Sequence, residues 1–262
     1  MSGALGVLNT IQIEPLLKIC QTAGKLIMDV YRSDFSVDYK DDKSPLTMAD
    51  TRSNACIREA LETLHPDIPI LSEETQTAPY EERKHWEWFW LVDPLDGTRE
   101  FVKKNDEFTI NIALVHKDTP VLGIINAPAL NKTVYAIQGK GCYGVVADKH
   151  VPLTGKQANN EKSIVIIGSR SHGSERFKQY VNELQARYEE VEIISAGSAL
   201  KFCLLAEGKA DIYPRLGPTM EWDTAAGHVI VNECGKQLSV LETGKPLYYN
   251  KPELLNPFFV CQ

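Results

Sequence analysis

Trp86-Glu87-Trp88-Phe89-Trp90-Leu91-Val92-Asp93-Pro94-Leu95-Asp96-Gly97-Thr98 is an apolar and aromatic run that stops abruptly in two carboxylates three residues apart. The run predicts a buried strand that delivers acids to its carboxyl end. Pro94 lacks an N–H and confines Asp93 to extended backbone, while Gly97 permits angles other residues avoid, so the chain is expected to turn here. Asp93 and Asp96 then face one centre. Carboxylates this close repel one another and raise a pKa unless a cation sits between them. A hard ion is the simplest compensation, and Mg2+ is commonly held by one or two carboxylates plus a substrate phosphate. Taken alone, the run suits a surface turn equally well, because Asp-Pro and Asp-Gly are ordinary turn dipeptides.

Working outward on the amino side, Ile68-Pro69-Ile70-Leu71-Ser72-Glu73-Glu74 reads as a second short strand ending in acid. Two strands of one sheet that finish in carboxylates bring acids together where ligands bind in α/β proteins. Thr75 to Trp88 reads as a solvated loop whose charges carry no function. Upstream, Ser44-Pro45-Leu46-Thr47-Met48-Ala49-Asp50 leads into an amphipathic helix with Ile57, Leu61 and Leu64 inside. Asp50 stands at its start, where a carboxylate caps the helix or complements its dipole. Glu14 to Arg32 forms a packing helix, with Leu16, Cys20, Ala23, Ile27 and Val30 on one stripe.

On the carboxyl side, Phe108 to Val115, Pro120 to Asn126 and Thr133 to Ile137 read as successive strands of a meandering sheet. Gly139-Lys140-Gly141-Cys142-Tyr143-Gly144 fits the G-x-G-x-x-G pattern, but that fingerprint needs a helix directly after it. Val145 to Leu153 reads as another strand, so this is a hairpin. Gln157 to Lys162 is polar and aperiodic, and is the expected boundary between an α+β domain, 1–157, and an α/β domain, 158–262. The second part opens with a buried strand, Ser163 to Gly168, running into Ser169-Arg170-Ser171-His172, where the histidine beside Arg170 is a candidate anion contact. A helix and a strand then lead to Ser195-Ala196-Gly197-Ser198-Ala199-Leu200-Lys201, whose hydroxyls open another helix; a phosphate site and an ordinary serine cap are both consistent with it. Ala210 to Arg215 is a strand, and Glu221-Trp222-Asp223-Thr224-Ala225-Ala226-Gly227-His228 opens a helix whose small residues permit close approach to another backbone.

The 262 residues, 43% hydrophobic and 24% charged, describe a globular chain large enough for one big core or two smaller ones. A net charge of -7 opposes a nucleic-acid polymer or an anionic membrane as the main partner. It would also repel a phosphate substrate, a difficulty that bound divalent cations relieve locally. The six cysteines show no metal-ligand spacing and are expected to be reduced, buried thiols. Residues 1–10 lack the pattern of a signal peptide and no apolar run approaches a membrane span, so the expected compartment is the cytoplasm.

Glu73-Glu74, Asp93-Pro94-Leu95-Asp96-Gly97-Thr98 and Trp222-Asp223-Thr224-Ala225-Ala226-Gly227 together resemble the signature of the inositol monophosphatase superfamily of lithium-sensitive, magnesium-dependent phosphatases. Gly168 to His172, Gly197 to Lys201 and Tyr213-Pro214-Arg215 resemble its CysQ branch, the 3'(2'),5'-bisphosphate nucleotidases. The resemblance implies a layered α-β-α-β-α sandwich and hydrolysis of the 3'-phosphate of 3'-phosphoadenosine 5'-phosphate, and of 3'-phosphoadenylyl sulfate, a recycling step of sulfate assimilation. It further implies that Glu73, Asp93 and the carbonyl of Leu95 hold one Mg2+, that Asp93, Asp96 and Asp223 hold a second, and that a weaker third uses Glu73 and waters, with Li+ inhibitory. Two such metals can clamp the attacking and leaving oxygens of an in-line displacement. Thr98, bonded to Asp50, is implied to orient the attacking water. Gly97, Thr98, His172, Ser198, Lys201, Arg215 and Asp223 are implied to bind the nucleotide, and Tyr213 is a candidate for the adenine. The implied partner is a small nucleotide bisphosphate and the chain a monomer or homodimer. Relatives in this branch point to loose association with the inner face of a membrane, although no segment here predicts it. An inositol or sugar phosphatase of the same fold, and a metal-dependent nucleotide-binding regulator without turnover, are the competing readings.

Overall fold

The computed structural model describes residues 2–39, 45–155, 162–168 and 175–262. His172, and all of the expected boundary segment except Lys162, lie outside the described residues. Helices α1 (Ser2–Thr10) and α2 (Ile13–Tyr31) open the chain, and a short antiparallel pair, β1 (Val37–Tyr39) with β2 (Pro45–Thr47), leads into α3 (Met48–Leu64). A seven-stranded sheet follows in chain order: β3 (Ile70–Ser72), β4 (Trp88–Asp96), β5 (Thr109–His116), β6 (Thr119–Ala127), β7 (Lys132–Ile137), β8 (Gly141–Val146) and β9 (Lys149–Leu153). Strand β3 runs parallel to β4, and every later pair is antiparallel. Short helices α4 (Tyr80–Arg83) and α5 (Thr98–Val102) flank β4. The stretch 145–153, read as one strand, is broken by Ala147 and Asp148, both left-handed, into the β8–β9 hairpin.

The second half contributes β10 (Ser163–Gly168), α6 (Glu175–Gln185), β11 (Glu190–Ser195), α7 (Leu200–Ala206), β12 (Tyr213–Arg215), α8 (Glu221–Glu233), β13 (Leu238–Val240) and β14 (Phe259–Cys261). Strands β10 and β11 pair in parallel, β14 lies between β12 and β13, and a bridge from Ile166 to Ile212 joins the two sets. The layers are therefore α2 with α3, the seven-stranded sheet, α7 with α8, the second set of strands, and α6.

Both faces of the large sheet are covered, which is why its strands read as continuous apolar runs rather than as alternation. Trp90, Val92, Ile112 and Leu114 pack toward Leu16 and Ile57 of α2 and α3. The intervening Phe89, Leu91, Ala113 and Val115 pack toward α7 and α8. Helix α8 approaches closest at Gly123 of β6, where a Cβ would lie 2.3 Å from the Ala226 carbonyl oxygen and 2.8 Å from its Cα. Backbone cannot yield as a side chain can. Gly123→Ala is expected to cost about 3 kcal/mol through overpacking, read as a lower urea midpoint; an unchanged midpoint would show that α8 is free to lift.

All six cysteines are free thiols and five are buried, Cys56 being partly exposed. Among the described residues no helix is long and apolar enough to cross a membrane.

Candidate active site

Asp93 and Asp96 share one face of the sheet because β4 does not turn at Pro94, as the sequence led us to expect, but bulges and continues, although Asp96 stands outside the tightest group of carboxylates. The ladder pairs Asp93 with Asn111 and Asp96 with Thr109, so three steps on β4 match two on β5. On a regular strand residues three apart point to opposite faces, and the extra residue cancels that difference. Pro94, with no N–H for the ladder, sits in the bulge, and its carbonyl accepts a hydrogen bond from Ser53 Oγ of α3 at 2.7 Å. Leu95 turns its N–H to Asp93 Oδ1 at 3.0 Å. The turn itself falls on Gly97, left-handed at φ 88°, where a Cβ would crowd Ser198 Cβ at 3.1 Å.

Glu73 follows β3 directly, and its N–H donates to the Val92 carbonyl at 3.2 Å, beside Asp93. Asp223 arrives from the opposite layer on the first turn of α8, with its Oδ2 accepting the Met220 N–H at 2.9 Å. Carboxylate oxygens of Glu73, Asp93 and Asp223 lie within 4.8 Å of one another. Burial, then the charges of Glu73, Asp96 and Asp223, hold the Asp93 carboxyl well above its ordinary range. Burial and then Asp96 do the same to Asp223. Asp96 is raised to about 6 by burial, against the opposing pull of Lys201 and an Asn111 hydrogen bond. Hard oxygen donors that converge and resist ionising together fit a divalent cation, whose charge reverses each of these shifts.

Asp50 does both things the sequence left open. Its Oδ2 caps α3, accepting the N–H and the hydroxyl of Thr47 at 2.7 Å each, while its Oδ1 accepts the Thr98 hydroxyl at 3.2 Å. Burial raises its carboxyl despite those donors. The Thr98 hydroxyl also lies 3.3 Å from the Leu95 carbonyl oxygen, which ties the pair to the bulge.

A cavity of about 590 Å³ opens over the carboxylates, walled by Phe177, Tyr213, Leu216, Pro218 and Trp222. A smaller one of about 190 Å³ continues from Asp96 to Ser198, Lys201 and Arg215. Lys201 Nζ donates to the Ser198 carbonyl at 2.9 Å. Its burial, and Arg215 close by, bring the ammonium down to about 8. Ser198 is itself left-handed at φ 43°, and the Gly197 N–H before it is fixed by Glu107 Oε2 at 2.8 Å. Ser198 Oγ and Arg215 Nε are buried with no hydrogen-bond partner among the described residues. Unmatched buried donors beside two cations are what a buried anion satisfies.

The inositol monophosphatase family model matches residues 12–257. The chain belongs to the inositol monophosphatase family. It is 44% identical over 252 residues to the 3'(2'),5'-bisphosphate nucleotidase CysQ of Salmonella typhimurium, covering 94% of this chain and 98% of the relative. The Haemophilus influenzae protein of the same name is 36% identical, covering 97% and 93%. The crystal structure of CysQ from Bacteroides thetaiotaomicron, described as a bacterial member of the family, superposes with a TM-score of 0.85 at 37% identity, covering 97% of this chain and 98% of that one. Enzymes of this family are metal-dependent, in keeping with the carboxylate cluster.

Several residues of the site carried no mark in the sequence. Phe177 and Leu216 are apolar residues like any in a core, and only the tertiary contact makes them walls. Tyr213, the one candidate offered for the adenine, is 5% exposed, with its ring packed edge-on to Phe202 and Phe259. The ring packs on the core on one side and lines both cavities on the other. The solvated reading of residues 75–88 also needs correction at Arg83, which is 2% exposed and donates to the carbonyls of Ala78 and Lys251 and to Asn250 Oδ1.

Proposed function

We propose that this chain is a magnesium-dependent 3'(2'),5'-bisphosphate nucleotidase, removing the 3'-phosphate of 3'-phosphoadenosine 5'-phosphate, and of 3'-phosphoadenylyl sulfate, as inorganic phosphate. The observation that carries the reading is the junction at Asp96 of a carboxylate centre with a buried pocket holding Lys201 and Arg215. A simple sugar phosphatase has no use for the second feature. The names of the relatives point the same way.

In this reading Glu73, Asp93 and the Leu95 carbonyl hold one Mg2+, Asp93, Asp96 and Asp223 hold another, and a weaker third uses Glu73. When bound, magnesium supplies charge neutralisation at the phosphoryl oxygens and a more acidic water. The Thr98 hydroxyl, held by Asp50 Oδ1, orients the attacking water, and the proton that leaves it moves through Thr98 Oγ toward Asp50. Burial raises the Asp50 carboxyl and makes it a better acceptor for that proton. Ser198, Lys201 and Arg215 grip the phosphate that stays, and binding it favours the charged form of Lys201. Gly97, with no side chain, lets the Ser198 turn close over the reacting group. The cavity of about 590 Å³ is of the size that takes a nucleotide.

Phosphate release with Mg2+ from 3'-phosphoadenosine 5'-phosphate and from inositol 1-phosphate, with and without Li+, tests this. Lithium-sensitive preference for the nucleotide is the expected result. Preference for the inositol ester would overturn the substrate assignment, and release from neither would overturn the enzyme reading.

A further inference from the structure

We propose that Glu221, Lys251 and Arg83 form a buried positioning network that sets Asp223 against Glu73 and Asp93 at the spacing a metal ion requires. The inference rests on the metal-binding reading above and concerns residues that reading leaves unused.

Glu221 lies two residues before Asp223 on the first turn of α8 and is wholly buried. Its carboxylate accepts the N–H of Asn250 at 2.7 Å, the N–H of Lys251 at 2.9 Å and the Lys251 ammonium at 2.6 Å. Lys251 Nζ donates further to the Tyr248 carbonyl at 3.1 Å and to Asn256 Oδ1 at 3.2 Å. Asn256 in turn gives its amide to the Met220 carbonyl at 2.8 Å and to Thr224 Oγ1 at 3.0 Å. Met220 is the residue whose N–H Asp223 accepts. The orientation of Asp223 is thus tied through Met220 and Asn256 to Lys251.

The other end of the network reaches the first half of the chain. Arg83, in α4 between the strands that bring Glu73 and Asp93, donates through both Nη atoms to the Lys251 carbonyl at 3.3 and 3.2 Å, and to Asn250 Oδ1 at 2.8 Å. Asn250 returns a hydrogen bond from its Nδ2 to the Arg83 carbonyl at 2.7 Å. The segment 248–256 therefore grips the start of α8 on one side and α4 on the other.

Three charged side chains are an expensive way to fill a core, because apolar replacements are often as stable. What a fully satisfied network adds is a fixed geometry. Mg2+ demands near-ideal octahedral ligands at about 2.1 Å, so a small drift of the α8 start loses a ligand that a softer packing would not hold. Residues behind metal ligands typically change metal affinity by about 10- to 100-fold when altered.

The test is Mg2+ titration by calorimetry, without substrate, of the parent, Lys251→Met and Arg83→Lys, with thermal unfolding in parallel. A merely structural role would lower the melting temperature and leave Mg2+ affinity unchanged in the folded variants. Positioning raises the dissociation constant about tenfold or more in each, and affinities within about twofold of the parent would overturn it. Should a variant not fold, the unmodified protein decides: coupling is reciprocal, so Mg2+ must slow hydrogen exchange at the Asn250 and Lys251 amides. Exchange indifferent to Mg2+ would overturn the inference. A parent that takes up no Mg2+ overturns the metal reading and this inference with it, whereas a parent and variants that bind alike overturn the inference alone.

Discussion

Asp93→Asn is expected to abolish turnover, lowering kcat on the order of 10³-fold or more, because it removes the carboxylate that faces every other acid of the centre. Asp93 is 1% exposed and feels the charges of Glu73, Asp96 and Asp223 together. Asparagine keeps the shape and can still accept the Leu95 N–H, so the fold should survive. A second effect has the opposite sign. In metal-free protein at neutral pH a buried carboxylate raised above its unfolded value opposes folding, and this penalty disappears as pH falls through the raised pKa toward the unfolded one. The asparagine variant should therefore melt higher than the parent in chelator, and should lose most of the stabilisation that Mg2+ confers on the parent. Turnover near that of the parent would sink the metal mechanism. A lower melting temperature in chelator would show instead that the acid cluster is held together by something other than a cation.

Arg215→Ala is expected to raise KM for the nucleotide bisphosphate about 10- to 100-fold, the range for losing a hydrogen bond to a charged group. Its activity on a simple monophosphate should stay within a few-fold of the parent. Arg215 is preferred to Lys201 for this test because Lys201 exerts the stronger pull on Asp96, so its loss would disturb the carboxylate centre as well. The guanidinium also donates to the Pro218 carbonyl at 2.9 Å, and a small loss of stability is expected alongside. Equal losses on both substrates would assign Arg215 to the reacting phosphate and leave the second pocket without a role. Thermal unfolding of the variant separates the binding effect from the structural one.

How far the sequence reached depended on the range over which each residue acts. The strand from Trp88 could be read because its apolar run and its terminal acids are neighbours, and the small residues after Asp223 announced the close approach seen at Gly123. Asp50 was half legible. Its cap lies three residues away at Thr47, within a local pattern, whereas Thr98 is 48 residues distant. Arg83 was misread for the same reason: its partner Lys251 is 168 residues away, and nothing near Arg83 marks it as buried. The β4 bulge was missed because Pro94 and Gly97 announce a turn without saying how many residues it takes.

That number has consequences for what the chain can tolerate. Side-chain direction along a strand is a matter of odd and even, and the one supernumerary residue at Pro94–Leu95 converts an odd spacing into an effectively even one. Any change of composition there keeps the parity, but a change of length by a single residue reverses it. With one residue fewer, Asp96 would turn from Asp223 toward the side where Val92 and Leu114 pack, and an unpaired charge would enter an apolar layer. The centre is thus protected by arithmetic as much as by chemistry, and single-residue insertions or deletions between Asp93 and Asp96 are closed to it even where substitutions are not.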